Sequence, residues 1–533
     1  MRFIILFLII VQIIVVPSFA QKTNIGDVLV KQSFGGRDLP DGWNASNSKF
    51  VTVLENAAQV DLPSGGADKN VSITKRLDVK PMLGTRLKIT TRIRAENVAA
   101  PPNHWNGVKA MLVLDTPTGK LWLQKSGVWG TFDWKDVTFN ATVPEDTTAA
   151  SFVLGLENTT GKVQFQNLQI AITAKKRPRP NSETVMQEQA DKSPVYTGHK
   201  LPRLRGAMIS PGRFGPEDIK VLSGEWKANH IRWQLCWAGF PNGPADTATV
   251  EEFYDWIDAQ CKLLDAMLPE CEKYGVYVCL DLHTPPGGRM PRKEGSIMRL
   301  FHEKQFQDAF VAVWQKMARR YKDQKMIWSY DLLNEPVEGD MPQDKDLLNW
   351  RELALKTAKE IRKIDPETAI VIEGEPWGGP EALEWFEPFD PKEVANVVYS
   401  AHMYIPHNFT HQGVYESPVG LVYPGEIGGK HWDKAALRQA LRVPIEFARD
   451  YGVHMYIGEF SAIRWAPDGS AYRYLKDCIE IFEEEGWDWA YHAFREWDGW
   501  SVEHGPDMND HKPTGESTDR EKLLRSWFEK NER

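Results

Sequence analysis

Eight short apolar runs, separated by long amphipathic segments, dominate the chain after Lys200. The runs are LRGAMIS, HIRWQL, VYVCLDLH, MIWSYDLLNE, AIVIEGE, VVYSAHMY, VHMYIGEF and WAYHAFRE. Intervening segments such as VEEFYDWIDAQCKLLDAMLPECEKYG and EKQFQDAFVAVWQKMARRYKDQ repeat apolar residues at spacings of three and four, which is typical of helices. This alternation of strand and helix constrains the fold more than any other feature of the sequence.

Eight strand–helix units within residues 201–533 predict a (β/α)8 TIM barrel, and therefore an α/β fold class. An open, doubly wound parallel sheet is the alternative arrangement. The Gly-rich phosphate turn that such sheets often carry does not follow the first run, so the barrel is favoured.

The chain before the barrel has a different pattern. Residues 21–175 contain runs with period-two alternation, such as RLKITTRIRAE and GKVQFQNLQIAIT, which predict an all-β antiparallel sandwich. The following polar, proline-containing stretch predicts a linker over residues 176–200.

The first twenty residues have the three parts of a secretory signal peptide. Met1-Arg2 supplies positive charge, an apolar run extends from Phe3 to Val16, and Ser18 to Ala20 form a small-residue cleavage site. A membrane anchor is the alternative, but the run is shorter than the roughly 20 residues that a transmembrane helix needs. We therefore expect a monomer that is secreted, extracellular or periplasmic, with no membrane association after cleavage.

Composition narrows the classes of function. A net charge of -9 and a pI near 5.9 argue against a nucleic-acid partner, because phosphate binding needs a basic surface. The 21 tryptophans supply flat aromatic faces, which suit sugars or nucleobases. The five cysteines show neither disulfide-framework nor zinc-site spacing, so we expect buried thiols, with one disulfide left open.

Polar residues of catalytic type stand in or just after the predicted barrel strands, where barrel enzymes place their chemistry. These residues are Arg232, Asp281, His283, Asn334, Glu335, His402, Tyr404, Glu459, Glu496 and Trp497. Two carboxylates at one rim indicate glycoside hydrolysis, with one protonated acid and one ionised nucleophile. Arg232 and Tyr404 could stabilise the nucleophile, and Asn334 could bind the sugar hydroxyl next to the reacting carbon.

Four of the predicted strands end in distinctive motifs, namely LLNEP at Leu332 to Pro336, AHMY at Ala401 to Tyr404, YIGEF at Tyr456 to Phe460 and LDLH at Leu280 to His283. With these motifs the chain resembles glycoside hydrolase family 5 of clan A. The Arg-Gly of the first strand and Arg232 add to this resemblance, which covers residues 200–533.

The resemblance implies a retaining hydrolase that works by double displacement and needs no cofactor or catalytic metal. It implies Glu335 as acid/base and Glu459 as nucleophile. The supporting positions of the family are matched by Arg232, His283, Asn334, His402 and Tyr404. One departure concerns the sugar-stacking tryptophan of strand eight, because WAYHAFREWDGW places His492 there in one alignment and Trp497 in another. We favour Trp497 for stacking.

The N-terminal sandwich resembles the closing half of the jelly-roll carbohydrate-binding modules of the family 4/9 type, over GTFDWKDVTFNATVPEDTTAASFVLGLENTTGKVQFQNLQI. The candidates for sugar contact are Trp105, Trp122, Trp129 and Trp134. The alternative role for each is core packing.

Rival interpretations find less support in the sequence. A metal site would be favoured by an HExxH motif, and a serine hydrolase by a GxSxG elbow, and neither occurs. We expect a β-glycan substrate, most directly a β-1,4-glucan cut by an endoglucanase. Mannan, xyloglucan, β-1,3-linked glucan and exo-acting cleavage stay open, as does a non-catalytic carbohydrate-binding protein.

Overall fold

The computed structural model describes residues 24–65, 70–117, 119–176, 199–237, 243–290, 296–339, 346–414 and 417–532. The predicted signal peptide and nearly all of the predicted linker lie outside these ranges. The chain divides into two compact units, residues 1–177 and 178–533.

The first unit consists of two antiparallel sheets. Its strands are β1 (Val28–Ser33), β2 (Trp43–Ala45), β3 (Val51–Val53), β4 (Ala58–Leu62), β5 (Asn70–Leu77), β6 (Thr85–Val98), β7 (Gly107–Thr116), β8 (Gly119–Gln124), β9 (Gly130–Val143), β10 (Ala149–Glu157) and β11 (Gly161–Lys175). One sheet has the order β3-β4-β11-β6-β9, with β1 paired to β11, and the other has the order β2-β5-β10-β7-β8. Short 3-10 turns are formed by Ser48–Phe50 and Lys80–Met82.

Alternating side chains explain why these strands form two layers. In β7, Leu112 and Leu114 are buried while Val113 between them faces the other way, because successive side chains in a strand point to opposite faces. Leu87 and Ile89 of β6, in the other sheet, belong to the same buried cluster. The N-terminal unit is therefore the all-β, two-sheet structure that the period-two pattern predicts.

The second unit is a closed barrel of eight parallel strands. They are β12 (Arg205–Ile209), β13 (His230–Gln234), β14 (Tyr277–Asp281), β15 (Ile327–Asp331), β16 (Ala369–Glu373), β17 (Val397–Met403), β20 (His454–Phe460) and β21 (Asp488–Phe494). A hairpin of β18 (Gly425–Ile427) and β19 (Lys430–Trp432) is inserted after β17. Each of the eight apolar runs supplies one strand, so the predicted TIM barrel is confirmed.

Helices connect the barrel strands. They are α1 (Pro216–Ile219), α2 (Val250–Tyr274), α3 (Lys304–Tyr321), α4 (Trp350–Arg362), α5 (His407–Thr410), α6 (Lys434–Ala440), α7 (Arg442–Tyr451), α8 (Ser470–Glu484) and α9 (Asp519–Phe528). A π-helical turn, Lys220–Glu225, follows α1, and 3-10 turns are formed by Pro244–Asp246, Arg299–Phe301 and Pro380–Glu384. No helix in the described ranges has the length and apolar character needed to cross a membrane.

The longest helix shows how the sequence sets these boundaries. Thr249 and Glu252 form a reciprocal capping box at the start of α2, with hydrogen bonds of 3.2 Å and 2.8 Å. Gly275 follows the last residue with φ of +65°, a conformation that ends helices and favours glycine.

Asp488 connects the first and last strands at the N-terminal end of the barrel. Its carboxylate accepts hydrogen bonds from the Nε2 atoms of His199 and His454 and from the backbone N–H of Leu204, all at 2.7 Å. Because Nδ1 of His199 accepts from the backbone N–H of Leu201, its Nε2 carries the proton that is donated to Asp488. Both imidazole nitrogens of His199 are therefore used in hydrogen bonds, which indicates a structural contact.

All five cysteines lie in the described ranges as free thiols. Cys261, Cys271, Cys279 and Cys478 are buried as expected. Cys236 is exposed, which contradicts the expectation for that residue, because it lies in the connection after β13, close to Thr284 and Glu496 at the carboxyl end of the barrel.

Candidate active site

The carboxyl ends of the barrel strands meet around Arg232, a fully buried residue in the middle of β13. Its guanidinium is within contact distance of oxygen atoms of Asp281, Asp331, Asn334, Glu373 and Glu459. The shortest contact joins Nη1 to Oε1 of Glu459 at 2.6 Å, and Nη2 lies 2.9 Å from Oε1 of Glu373. A planar guanidinium with five N–H groups can serve several acceptors at once, which a lysine ammonium cannot do in the same geometry.

Burial by itself would lower the pKa of Arg232, but the surrounding carboxylates hold that pKa well above its ordinary value. The carboxyl groups differ among themselves. Burial, together with Glu373 and Asp281, raises the pKa of Asp331 well above its ordinary range, so this group favours its neutral form.

Glu459 lies near the end of β20 and is held by four partners. Besides Arg232, Tyr404 donates its hydroxyl hydrogen to Oε2 at 2.8 Å, and the same oxygen lies 3.2 Å from Nδ1 of His492 and 3.7 Å from Nδ1 of His402. Burial would raise the pKa of Glu459, but His402, His492 and Arg232 hold it well below its ordinary value. Glu459 is thus an ionised carboxylate in a buried position.

Tyr404, directly after β17, is suited to act only as a donor toward Glu459. Burial and the nearby Glu459 carboxylate raise the pKa of the Tyr404 hydroxyl well above its ordinary value. The same hydroxyl also contacts Nδ1 of His492. Tyr404 therefore keeps its proton and fixes one oxygen of Glu459.

Glu335 lies in a bend after β15. The fourth strand was expected to extend to Asn334-Glu335, but it ends at Asp331. Glu335 has φ of +46°, in the left-handed region that non-glycine residues seldom adopt. Its backbone N–H donates to Oε2 of Glu373 at 2.9 Å, and its backbone carbonyl accepts from Nη2 of Arg289 at 2.9 Å. The change of direction in this bend turns the Glu335 side chain toward the pocket.

The Glu335 carboxyl faces the same imidazole as Glu459. Its Oε1 lies 3.0 Å from Nδ1 of His402. One carboxylate oxygen of Glu335, one of Glu459 and one nitrogen of His402 all lie within 4.8 Å of one another. This spacing suits the roughly 5 Å separation of the two carboxyl groups in retaining glycosidases. The Glu335 side chain is 23% exposed and that of Glu459 is 5% exposed, so the two carboxyl groups have different surroundings.

The same three side chains have a donor set that a divalent metal ion could use. However, Oε1 of Glu459 already has the Arg232 guanidinium at 2.6 Å, and His402 is held between carboxylates. Burial would lower the pKa of His402, but Glu373, Glu459 and Glu335 hold it well above its ordinary value, which favours the imidazolium. A protonated imidazole cannot ligate a metal, so these residues fit a metal poorly.

Asn334 and His283 have defined orientations. Oδ1 of Asn334 accepts from Arg232 at 3.1 Å, so its Nδ2 group points away from Arg232 and lies 3.3 Å from Nε2 of His283. Nδ1 of His283 lies 2.9 Å from Oδ2 of Asp281, which places a proton on Nδ1. The Asn334 amide therefore donates one N–H to His283 and has a second N–H for another acceptor.

His492 is the strand-eight side chain that contacts the candidate nucleophile. It lies in β21, with Nδ1 3.2 Å from Glu459 and Nε2 3.3 Å from Oε1 of Glu496. Burial would lower its pKa, but Glu459 and Glu496 raise the pKa of His492 to about 10. The site therefore has an imidazolium at this position.

Trp497 lies beyond the end of β21 and is 39% exposed. Its ring packs edge-on against Trp465 and Trp500, with centroid distances of 6.0 Å and 5.5 Å. Trp500 in turn lies 5.9 Å from the ring of His492. Trp497 thus belongs to an aromatic group beside the strand-eight end of the pocket, and its role in sugar stacking stays a prediction.

The strand-end argument missed Glu373, although the fifth apolar run, AIVIEGE, contains this residue where β16 ends. Glu373 is fully buried and contacts Arg232, His402 and the backbone of Glu335. Applying the same rule to the fifth strand would have found it. Arg289, in contrast, lies in the connection after β14, where no periodic signal distinguishes it.

The N-terminal unit has an exposed aromatic group of its own. The exposed fractions are 49% for Trp105, 61% for Trp122 and 50% for Trp129. Trp122 in β8 pairs with the outward-facing Val113, so it lies on the outer face of its sheet. The backbone carbonyl of Trp105 accepts from Gln124, which lies two residues after Trp122 on that face. Trp134 is only partly exposed.

Comparisons with known proteins give a family and several relatives. The family described as Cellulase (glycosyl hydrolase family 5) matches residues 191–498. Endoglucanase C of Acetivibrio thermocellus is 29% identical over 246 residues, which cover 42% of this chain and 68% of that protein. Cellodextrinase A of Ruminococcus flavefaciens is 27% identical over 273 residues, which cover 50% of this chain and 75% of that protein. The crystal structure of Thermotoga maritima Cel5A with cellobiose aligns with a TM-score of 0.46 and 24% identity, over 61% of this chain and 97% of that one.

We expect Arg232→Lys to destabilise the folded protein by about 3 kcal/mol at neutral pH, because buried carboxylates lose their multidentate partner. The pKa of Glu459 is depressed in the folded protein, so its carboxylate contributes stability above the unfolded value of about 4.3 and loses that contribution as the pH falls. In Arg232→Lys, the weaker cationic contact lets the pKa of Glu459 in the folded protein rise. The stability difference between wild type and variant should therefore shrink below that pH.

Urea denaturation at several pH values measures this difference. Arg525→Lys is the matched control, because Arg525 forms a partly exposed helical ion pair with Glu521. It should change the free energy of unfolding by less than about 0.5 kcal/mol. A pH-independent loss in Arg232→Lys would contradict the charge argument.

Proposed function

The chain belongs to the cellulase family, glycosyl hydrolase family 5, and is an O-glycosyl hydrolase, and from that premise we propose that it cleaves a β-linked glucan by double displacement with Glu459 as nucleophile and Glu335 as acid/base. The observation that carries this proposal is the contrast between the two carboxyl groups. Glu459 is buried and contacts Arg232, His402, His492 and Tyr404, whereas Glu335 is partly exposed within 4.8 Å of the same His402.

In the first step, Glu459 attacks the anomeric carbon while Glu335 protonates the leaving oxygen. The low pKa of Glu459 keeps it ionised, and Arg232 and Tyr404 leave it one defined direction of attack. In the second step, Glu335 removes a proton from water, which displaces the sugar from Glu459. His402 lies 3.0 Å from the Glu335 carboxyl group and 3.7 Å from that of Glu459, so its imidazole would stay in contact with both groups while their charges change.

Sugar contacts are proposed for the remaining site residues. Asn334 has one amide N–H that is not donated to His283, and this N–H would bind the hydroxyl next to the anomeric carbon. His283 fixes that amide and carries its own proton on the side of Asp281. Trp497, exposed at the strand-eight side, would pack against an apolar sugar face.

For the substrate we propose a β-1,4-glucan. The relatives named endoglucanase and cellodextrinase support a glucan. We further propose that the enzyme is exported, on the strength of the signal pattern in residues 1–20.

For the N-terminal unit we propose carbohydrate binding through its exposed tryptophans. Three large aromatic side chains with about half or more of their surface in solvent are costly to leave exposed without a function. A flat indole face matches the apolar C–H face of a sugar ring. The jelly-roll resemblance in sequence supports the same role.

We expect Glu335→Ala and Glu459→Ala each to lower turnover of an activated aryl β-glycoside by roughly 10²-fold to 10⁴-fold. Azide should restore turnover in both variants, because it is small enough to occupy the space of the missing carboxylate. The products should be β-glycosyl azide from Glu335→Ala and α-glycosyl azide from Glu459→Ala, since azide enters from opposite faces. Proton NMR of the products distinguishes the two anomers.

Glu251→Ala, at an exposed position in the first turn of α2, is the control and should keep the wild-type rate. Wild-type rates in both site variants would refute the catalytic assignment and favour a non-catalytic carbohydrate-binding protein. Azide products of the same anomer from both variants would show that the two roles are assigned incorrectly.

We expect the wild-type enzyme to act faster on soluble β-1,4-glucan than on mannan, xyloglucan or β-1,3-glucan. Reducing-end release measures total cleavage, and the accompanying fall in viscosity reports internal cuts. Rapid loss of viscosity would agree with endo action. A higher kcat/KM on mannan or xyloglucan would replace the proposed substrate and leave the catalytic pair unchanged.

In affinity electrophoresis, a soluble β-glucan slows the migration of a protein that binds it. We expect Trp122→Ala to abolish the part of this retardation that is due to the N-terminal unit. The full chain is used with Glu459→Ala, so that the polysaccharide stays intact. Leu121→Ala is the matched control, because Leu121 is also exposed and is adjacent in β8 but points to the other face. Equal mobility of the two variants would indicate that this face does not bind the glucan.

A further inference from the structure

Glu373 is a buried carboxylate that contacts three parts of the site at once. It is the last residue of β16 and has no exposed surface. Oε1 lies 2.9 Å from Nη2 of Arg232 and 3.1 Å from Nε2 of His402. Oε2 accepts the backbone N–H of Glu335 at 2.9 Å. Cationic partners hold the pKa of Glu373 below its ordinary value despite the opposing effect of burial, so the group accepts these contacts as a carboxylate.

The contact with the Glu335 backbone coincides with backbone strain. A non-glycine residue at φ of +46° is held in a conformation that costs of order 1 kcal/mol or more. A hydrogen bond from its N–H to a carboxylate is stronger than one to a neutral acceptor. Gly378 lies against the same oxygen, since a Cβ there would be 2.4 Å from Oε2 of Glu373. The local chain is therefore built closely around this carboxylate.

The Glu335 side chain is also connected to Glu373. Its carboxyl group contacts Nδ1 of His402, and the other nitrogen of that imidazole faces Glu373. Glu459, in contrast, has direct contacts with Arg232 and Tyr404 that do not pass through Glu373. Loss of Glu373 should therefore affect the placement of Glu335 more than that of Glu459.

We propose that Glu373 is a positioning residue for the acid/base, which fixes both the backbone and the imidazole partner of Glu335 so that its carboxyl proton is directed at the leaving oxygen. This inference rests on the proposed function, because it takes Glu335 as the acid. It assigns to the fifth strand a part in the first chemical step.

The alternative role for Glu373 is to hold Arg232 in place. Asp331 is the matched residue for that role, because its Oδ2 lies 3.0 Å from Nε of Arg232 and it is equally buried. The contacts described for Asp331 include Arg232 and none to Glu335 or His402 within the described residues. Comparing Glu373→Gln with Asp331→Asn thus separates the positioning of Glu335 from the support of Arg232.

Glutamine cannot replace Glu373 at both oxygens. Each carboxylate oxygen faces donors, namely Arg232 and His402 at Oε1 and the Glu335 N–H at Oε2. The amide oxygen of glutamine will face the Arg232 guanidinium, because that contact is charge-assisted. Its NH2 group then opposes the Glu335 N–H, which disturbs the bend without opening a cavity.

The experiment measures kcat/KM for aryl β-cellobiosides with leaving groups of different acidity. This parameter reports the first step, in which a dinitrophenolate leaves without protonation and an unsubstituted phenol needs the acid. We expect Glu373→Gln to lose about 100-fold on the phenyl substrate and less than about threefold on the dinitrophenyl substrate. Asp331→Asn should change both substrates by the same factor.

Two further measurements keep the test decisive. Titration with a 2-fluoro-glycoside that traps the glycosyl-enzyme counts correctly folded sites, so that unfolded protein does not lower the apparent rate. Gly378→Ala displaces the Glu373 carboxylate without changing any charge, and it should give the same leaving-group dependence. Equal losses on both substrates in Glu373→Gln, as in Asp331→Asn, would overturn the positioning role.

Glu335→Ala belongs to the same series as the reference for a missing acid. If it shows the leaving-group dependence and Glu373→Gln does not, the inference fails while the proposed function stands. If Glu335→Ala itself shows no such dependence, the acid assignment fails, and the positioning inference fails with it.

Discussion

A single buried guanidinium organises the active site of this barrel. Arg232 has no exposed surface and contacts oxygen atoms from strands or bends on several sides of the barrel. Removing a cation from water costs several kcal/mol unless hydrogen-bonded anions compensate for it. The carboxylates are stable in this buried position only beside the Arg232 cation, and the cation is stable only beside these carboxylates. This mutual dependence explains why the strand ends have defined positions and why Glu459 is ionised although it is buried.

The proposed chemical difference between the two glutamates arises from where each is attached. Glu459 belongs to a regular strand, β20, and its side chain lies among Arg232, Tyr404 and His492. Glu335 follows the end of its strand in a bend with positive φ, and its side chain is partly exposed. Regular structure thus positions the proposed nucleophile, and irregular structure positions the proposed acid/base.

The sequence was informative wherever regular periodicity determines structure. Eight apolar runs predict eight strands because a barrel strand is buried on both faces, and the ends of those strands locate the polar residues. Periodicity carries no information about irregular backbone, so the end of β15 at Asp331 and the bend at Glu335 could not be predicted. Trp497 lies after the last strand, in irregular backbone. Periodicity therefore could not decide whether His492 or Trp497 aligns with the family's stacking tryptophan. Glu373, by contrast, was predictable from the end of its run.

The residue at the end of strand eight determines whether this side of the site is polar or apolar. Strand eight presents His492, whose pKa near 10 keeps it charged between Glu459 and Glu496. With Arg232 and His402 it forms a set of cations that surrounds Glu459. These cations favour the ionised form of Glu459 around neutral pH. In the proposed mechanism they stabilise the nucleophile without taking part in proton transfer, and the proton transfers are assigned to Glu335.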